Sequence, residues 1–347
     1  MLERIRDPRH ADYFQYLRLT DGSAPAADRR IIDVAVLDMN HSWPNIGHDA
    51  LVHAVLEGAQ EVAVVLRAAG CSIRVLSFDV RRQAAMPEAA ARFGLFLGTG
   101  GPGHLDPRLN DGLSEWSQGI SESASWEAPL FRLFDDILAS EETAMLAVCH
   151  TFGLLCRWSG IARVVLRGPE KGGKSSGMPL NVLCEAGARH PWFSKFAAEL
   201  PDHRHFRVVD SRLFDLIPLS SASPGTTISY ESTPDGSAQQ EAMTSVEFAR
   251  DPSGVMPRFF AVNHHPEIVD RDHLMTVLEE KYAAGEVSKR WYEERFDTLR
   301  SEFVGDRDRQ SRLTSRYMLL APIGFHLARL VHRRCAELGV ESSARAT

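Results

Sequence analysis

From Ile31 the chain changes character: IIDVAVLD is a continuous run of mostly apolar residues, the pattern of a strand buried on both faces of a parallel sheet. Helix-like spacing follows from about Asp49 to Ala69 and stops at Gly70, a residue suited to a left-handed helix end. Next come the apolar run CSIRVLSF and, after alanine-rich Pro87–Arg92, the run FGLFLG. Helical spacing returns over Pro129–Ala139. AMLAVC then reads as a central strand that turns sharply at His150, Thr151 and Phe152 into the helix GLLCRWSG. NVLCEA and RFFAVNHHPE supply later strands. Strands alternating with helices predict right-handed βαβ units, so the expected fold class is α/β with a doubly wound, mostly parallel sheet.

The remaining segments divide the chain. Residues 1–30 mix charges with Gly22, Ser23 and Pro25 and read as an N-terminal arm ending in a flexible lead-in. Residues 31–270 form the expected α/β domain. Within it, residues 104–128 are a polar insertion suited to a lid or partner surface, and Pro218–Gln240 reads as loops around short strands. Residues 271–347 read as a charged helical extension with Leu274, Val277, Leu278, Trp291, Phe296, Leu299 and Phe303 at helical spacing. Such an extension serves as a solvated cover, a homodimer surface or a partner surface.

Composition narrows the function classes. The chain has 347 residues, 44% of them hydrophobic, which suffices for one sizeable core. Its net charge is −7 with acids and bases interspersed, which argues against a nucleic-acid partner. Five irregularly spaced cysteines suggest neither a disulfide framework nor a zinc site, and fit a reducing cytoplasm. The N-terminal MLERIRDPRHADYF has no apolar core of a secretory signal. Met318–Leu330 is interrupted by Pro322, Gly324, His326 and Arg329 and falls short of the ~20 apolar residues that span a bilayer, so no membrane association is expected.

Two motif-like stretches are weighed and set aside. Gly168–Ser175, GPEKGGKS, satisfies the phosphate-loop pattern, yet Ser176–Pro179 lead to a strand where a phosphate loop would open a helix. His190, His203 and His205 lack metal-ligand spacing, so neither a metal nor a cofactor is expected.

The chemistry concentrates at three expected strand ends, GTGGPG, VCHTFG and HHPE, where open α/β sheets bind ligands. A cysteine at a strand-to-helix turn, here Cys149, sits at a helix N-terminus that favours the thiolate. His265 and Glu267, two apart on a strand end, share a face, as a base and its orienting carboxylate require, and Pro266 between them fixes that geometry. Alternation turns His264 to the opposite face, as packing or support. The GGP turn lets the backbone approach a substrate, which assigns an oxyanion hole to the N–H groups of Gly101 and His150.

In this order and context, GTGGPG, VCHTFG and NHHPE resemble the class I glutamine amidotransferase domain, from about Ile31 to Asp270. RVVLRGPEKGGKSSG, HPWF and VVDSRLFDLIP resemble later stretches of the same family. The resemblance implies a Cys149–His265–Glu267 triad and hydrolysis of the glutamine side-chain amide, with ammonia passed to a separate synthase partner. Two departures mark this chain. The family's Cys-x-Gly-x-Gln elbow is Cys149, His150, Thr151, Phe152 and Gly153 here, and its His-Ser-Leu element is Asp210, Ser211 and Arg212. The substrate contacts are accordingly assigned to Gly100, Gly153, Ser211 and Arg212, with Arg212 expected to pair with a substrate carboxylate. The alternatives are a stand-alone cysteine hydrolase of a γ-glutamyl or other amide or ester, and a degenerate binding or regulatory subunit.

Overall fold

The computed structural model describes residues 12–19, 23–88, 90–168, 173–219, 224–232 and 242–340. Its centre is a ten-stranded sheet. The strands Phe14–Leu19, Ser72–Asp79, Ile31–Asp38, Leu95–Gly98, Ala144–Val148 and Pro257–Val262 lie side by side in that order, each parallel to its neighbour. Met243–Arg250, Thr226–Glu231, Leu180–Leu183 and His205–Arg207 continue the sheet antiparallel.

The apolar runs are explained by burial on both faces. Along Ile31–Asp38, Ile32, Val34 and Val36 join the core on one side, while Ala35 and Leu37 join the core on the other. The first core is covered by the helix Gly47–Glu61 through Leu51, Val52 and Val55, and the second by Glu127–Ala139 through Leu130, Phe134 and Ile137. The helix expected from Asp49 to Ala69 is two helices, Gly47–Glu61 and Ala63–Ala69, and Gly70 ends the second with a φ of 61°.

Parts of both flanking segments pack on this core, and the C-terminal one is helical as expected. Phe14–Leu19 is an edge strand paired with Ser72–Asp79, because Phe14 and Tyr16 find apolar cover there. Ala321–Glu337 packs Ile323, Leu327, Leu330 and Val331 onto the first core. The fit is close: a Cβ on Gly58 would come within 2.8 Å of Leu327 Cδ1, and one on Gly94 within 2.0 Å of Leu330 Cδ2. Among the described residues no helix is long and apolar enough to cross a membrane.

One consequence of this packing is acid lability. His326 is fully buried, its Nε2 hydrogen-bonded with the Pro257 carbonyl at 2.8 Å, and burial pushes its imidazole down to about 4. The unfolded chain therefore binds a proton below about pH 6.5 that the folded chain refuses until about pH 4. Stability falls across that window by about 1.4 kcal/mol per pH unit for such a group. We expect the slope of urea-unfolding free energy between pH 6.5 and 4 to be shallower in His326→Gln; an unchanged slope contradicts this assignment.

Candidate active site

The strand Ala144–Val148 and the helix His150–Ser159 meet at Cys149, whose φ of 47° and ψ of −104° place a non-glycine residue in strained backbone. The turn is held because Cys149 N–H donates to the Val262 carbonyl at 2.7 Å and the first helical bond runs from Gly153 N–H to the Cys149 carbonyl. Thr151, standing where the resemblance places glycine, is accommodated by a glycine elsewhere. A Cβ on Gly98 would lie 2.4 Å from Thr151 Cγ2, and the Thr151 hydroxyl donates to the Thr99 carbonyl at 2.7 Å. Gly98 on the neighbouring strand thus leaves the room that Thr151 takes up.

His265 and Glu267 come together differently from the strand alternation expected of them. The strand ends at Val262, and both residues lie in a turn closed by Ile268 N–H on the His265 carbonyl and Val269 N–H on the Glu267 carbonyl. His265 Nδ1 is 2.7 Å from Glu267 Oε1, and Cys149 is the ring's other charged neighbour. Burial works against a charge on this imidazole, but the Glu267 carboxylate and the Cys149 sulfur outweigh it and hold the group well above its usual value. Glycines make the room: a Cβ on Gly100 would lie 2.9 Å from His265 Cε1 and 3.3 Å from Cys149 Cβ, and one on Gly47 would lie 2.8 Å from Glu267 Oε1. His264 is fully buried, edge-on to Phe206, and burial pushes it down to about 3, which suits packing.

Gly101 is pressed against the chain, since a Cβ there would fall 2.2 Å from the Met39 carbonyl oxygen. His150 opens the helix, where the first N–H groups have no intrahelical partner, and its ring is buried with Nε2 unpartnered among the described residues. Burial and the Arg81 charge keep that ring well below its usual value. The insertion 104–128, expected as a lid or partner surface, braces this turn. Glu122 within it forms a fully buried ion pair with Arg81, whose Nη1 donates to the carbonyl of Pro102, next to Gly101, and to the Met39 carbonyl that Gly101 packs against.

Gly100, Ser211 and Arg212 lie beside the site, whereas Gly153 does not. Ser211 is exposed on the short strand Asp210–Arg212 and lines the cavity over Cys149. Arg212 is buried with its guanidinium spent on Asp210 at 2.6 Å, Asp215 at 3.2 Å and Glu231, so no charge remains for a substrate. Gly153 faces Leu105 of the insertion, 2.3 Å from where its Cβ would be, which makes it a packing position. In the phosphate-loop-like stretch, residues 169–172 lie outside the described residues; Ser175–Gly177 is a strand, and Ser175 donates to Asp210. His190 pairs with Glu247 and His205 with Asp202. Elsewhere, His53, Glu57 and Asp270 bring metal-type donor atoms within 4.8 Å of one another, and none of the three lines the cavity.

The cavity itself measures about 400 Å³ and has a roof that the sequence did not announce. Cys149, His150, Gly101 and His265 form its floor, Trp43 and Lys174 are on its walls, and Trp291, Glu294, Arg295 and Thr298 of the helix Lys289–Glu302 cover it. The periodicity of that helix gave an apolar face without saying what it would lie on.

No protein-family model and no curated protein matches the sequence. Solved structures that resemble this fold include a glutamine amidotransferase from Thermotoga maritima, 16% identical, covering 86% of this chain and 98% of its own with a TM-score of 0.46. A putative GMP synthase subunit from Thermoplasma acidophilum is 13% identical over 68% of this chain and 85% of its own, TM-score 0.39. The glutaminase domain of Trypanosoma brucei CTPS, solved with bound acivicin, is 9% identical over 69% and 87%, TM-score 0.43.

Proposed function

We propose that this protein is a cysteine-dependent amidase that hydrolyses the side-chain amide of glutamine or a close relative. The observation that carries the reading is the strained Cys149 turn with the His265 ring beside it across Gly100, oriented by Glu267 at 2.7 Å, on the lining of one cavity. The Cys149 thiolate attacks the amide carbonyl, and the N–H groups of Gly101 and His150 receive the oxyanion. As the C–N bond breaks, the His265 imidazolium gives its proton to the departing nitrogen, leaving a thioester and ammonia. Water then attacks the thioester, His265 takes its proton, and the acid product leaves with the thiolate restored. Glu267 keeps Nδ1 protonated so that Nε2 faces the sulfur throughout.

The test is ammonia release from glutamine, with the enzyme alone and with candidate synthases that would consume the ammonia. Turnover in either arm supports the reading; none in both, together with no Cys149 adduct from a thiol-directed glutamine analogue, overturns it. A second reading, a self-contained hydrolase of a larger γ-glutamyl amide, is favoured by the roof: the chain's own helix covers the cavity, whose volume lies within the ordinary range for small-molecule pockets. Ammonia from glutamine separates the first reading from release of a larger amine by the second.

A further inference from the structure

Two buried donors on the cavity lining above Cys149 have no partner among the described residues. Asn263, buried in the cavity wall, leaves Nδ2 without a hydrogen-bond partner among the described residues, and the buried indole Nε1 of Trp291 in the roof is likewise unpartnered. Buried donors left unmade cost free energy, so a pair of them on one cavity calls for an acceptor that arrives with the ligand. Lys174 and Arg295 add two cations to the same lining. Arg295 is stacked 4.6 Å over the Trp291 ring and bonded to Glu294 at 3.0 Å. Burial and the neighbouring Arg295 lower the Lys174 ammonium, while Cys149 pulls it the other way, which places the amine within electrostatic reach of both. Of the acids on the cavity, Asp210 has Oδ2 held by Arg212 and Ser175 and a buried Oδ1 without a partner among the described residues, and Glu294 is shared between Arg290 and Arg295. Arg212, the cation first expected to recognise substrate, is removed from that role by three carboxylates.

Resting on the amidase reading, we infer that the roof is an anion-recognition subsite, and that the substrate carries a carboxylate or similar anionic group on the acyl side of its scissile amide, received by Lys174, Arg295 and the Trp291 N–H. The helix Lys289–Glu302 then sets specificity: a neutral amide meets the Cys149 machinery and leaves the cations and the buried donors unpaired, whereas an anionic one satisfies both.

Competing alkylation tests this without knowledge of the physiological substrate. Iodoacetate and iodoacetamide react with the same thiolate and differ in charge, so the ratio of their rates at Cys149, read by peptide mass spectrometry on the full-length protein, cancels changes in the thiolate itself. The wild-type ratio should exceed that of a free thiol. Lys174→Met and Arg295→Met should each lower it by about fivefold, the scale of one cation at the edge of a partly solvated site. Lys174→Arg and Arg295→Lys, which keep the charge, should restore it, and this rescue excludes a misfolded protein as the cause. A ratio unchanged in both methionine variants overturns the subsite while leaving the amidase reading intact. Failure of both reagents to modify Cys149 in wild-type protein overturns the nucleophile and the subsite together.

Discussion

Cys149→Ala should leave a folded protein with no measurable amide hydrolysis, a fall in kcat of roughly 10⁴-fold or more. The size follows from the arrangement, because removing the sulfur removes the only covalent step, and the oxyanion donors retain little to stabilise. His265→Ala should cost about as much, and the double variant no more than either single, since nucleophile and base act as one unit. Glu267→Gln is the informative intermediate. The amide can still accept from Nδ1–H, but it carries no charge to oppose the burial of the imidazolium, so the His265 group falls from its raised value. We expect a loss of roughly 10²- to 10⁴-fold in kcat with little change in KM, and an NMR titration midpoint for His265 lower than in the wild type. Circular dichroism and ammonia-coupled kinetics on the same preparations measure the series. Retained hydrolysis in Cys149→Ala would sink the mechanism.

What the sequence displayed depended on how local the information was. The strand runs were legible because alternate residues such as Val34 and Ala35 face two separate cores, and that leaves no polar face to interrupt the run. Cys149, His265 and Glu267 were legible as residues because each lies in a short motif at a strand end. Their geometry was less so: a turn, rather than strand alternation, brings His265 to Glu267. The roof was beyond reach. Trp291 and Arg295 stand some 140 positions from Cys149, and nothing in a charged amphipathic helix states which face of which sheet it will cover. Arg212 illustrates the opposite error. A cation beside a candidate site invites a substrate role, but Asp210 and Asp215, two and three residues away, and Glu231, reached only in three dimensions, claim it first. Gly47 had no signal at all, since its contact with Glu267 exists only in three dimensions.

Glu122→Gln should destabilise the protein by about 3–5 kcal/mol, more than any exposed ion-pair variant. Both partners of the Arg81–Glu122 pair have no solvent-accessible side chain, and the carboxylate also accepts from Asn110 at 2.5 Å and Trp126 at 3.2 Å. An amide in its place leaves a guanidinium charge buried without compensation. The exposed Arg333–Glu142 pair provides the contrast, and Glu142→Gln should change stability by no more than about 1 kcal/mol. The Arg81→Met/Glu122→Met double variant separates stability from function. With neither charge present, the desolvation penalty disappears, so the double variant should be more stable than Glu122→Gln in urea unfolding. Yet the hydrogen bonds from Arg81 to the Met39 and Pro102 carbonyls are lost with it, and those tie the residue after Gly101 to the Met39 carbonyl that Gly101 packs against. Hydrolysis should therefore stay low in the double variant while stability recovers. If kcat recovered in step with stability, the buried pair would serve only to hold the insertion in place, and the Gly101 turn would owe nothing to Arg81.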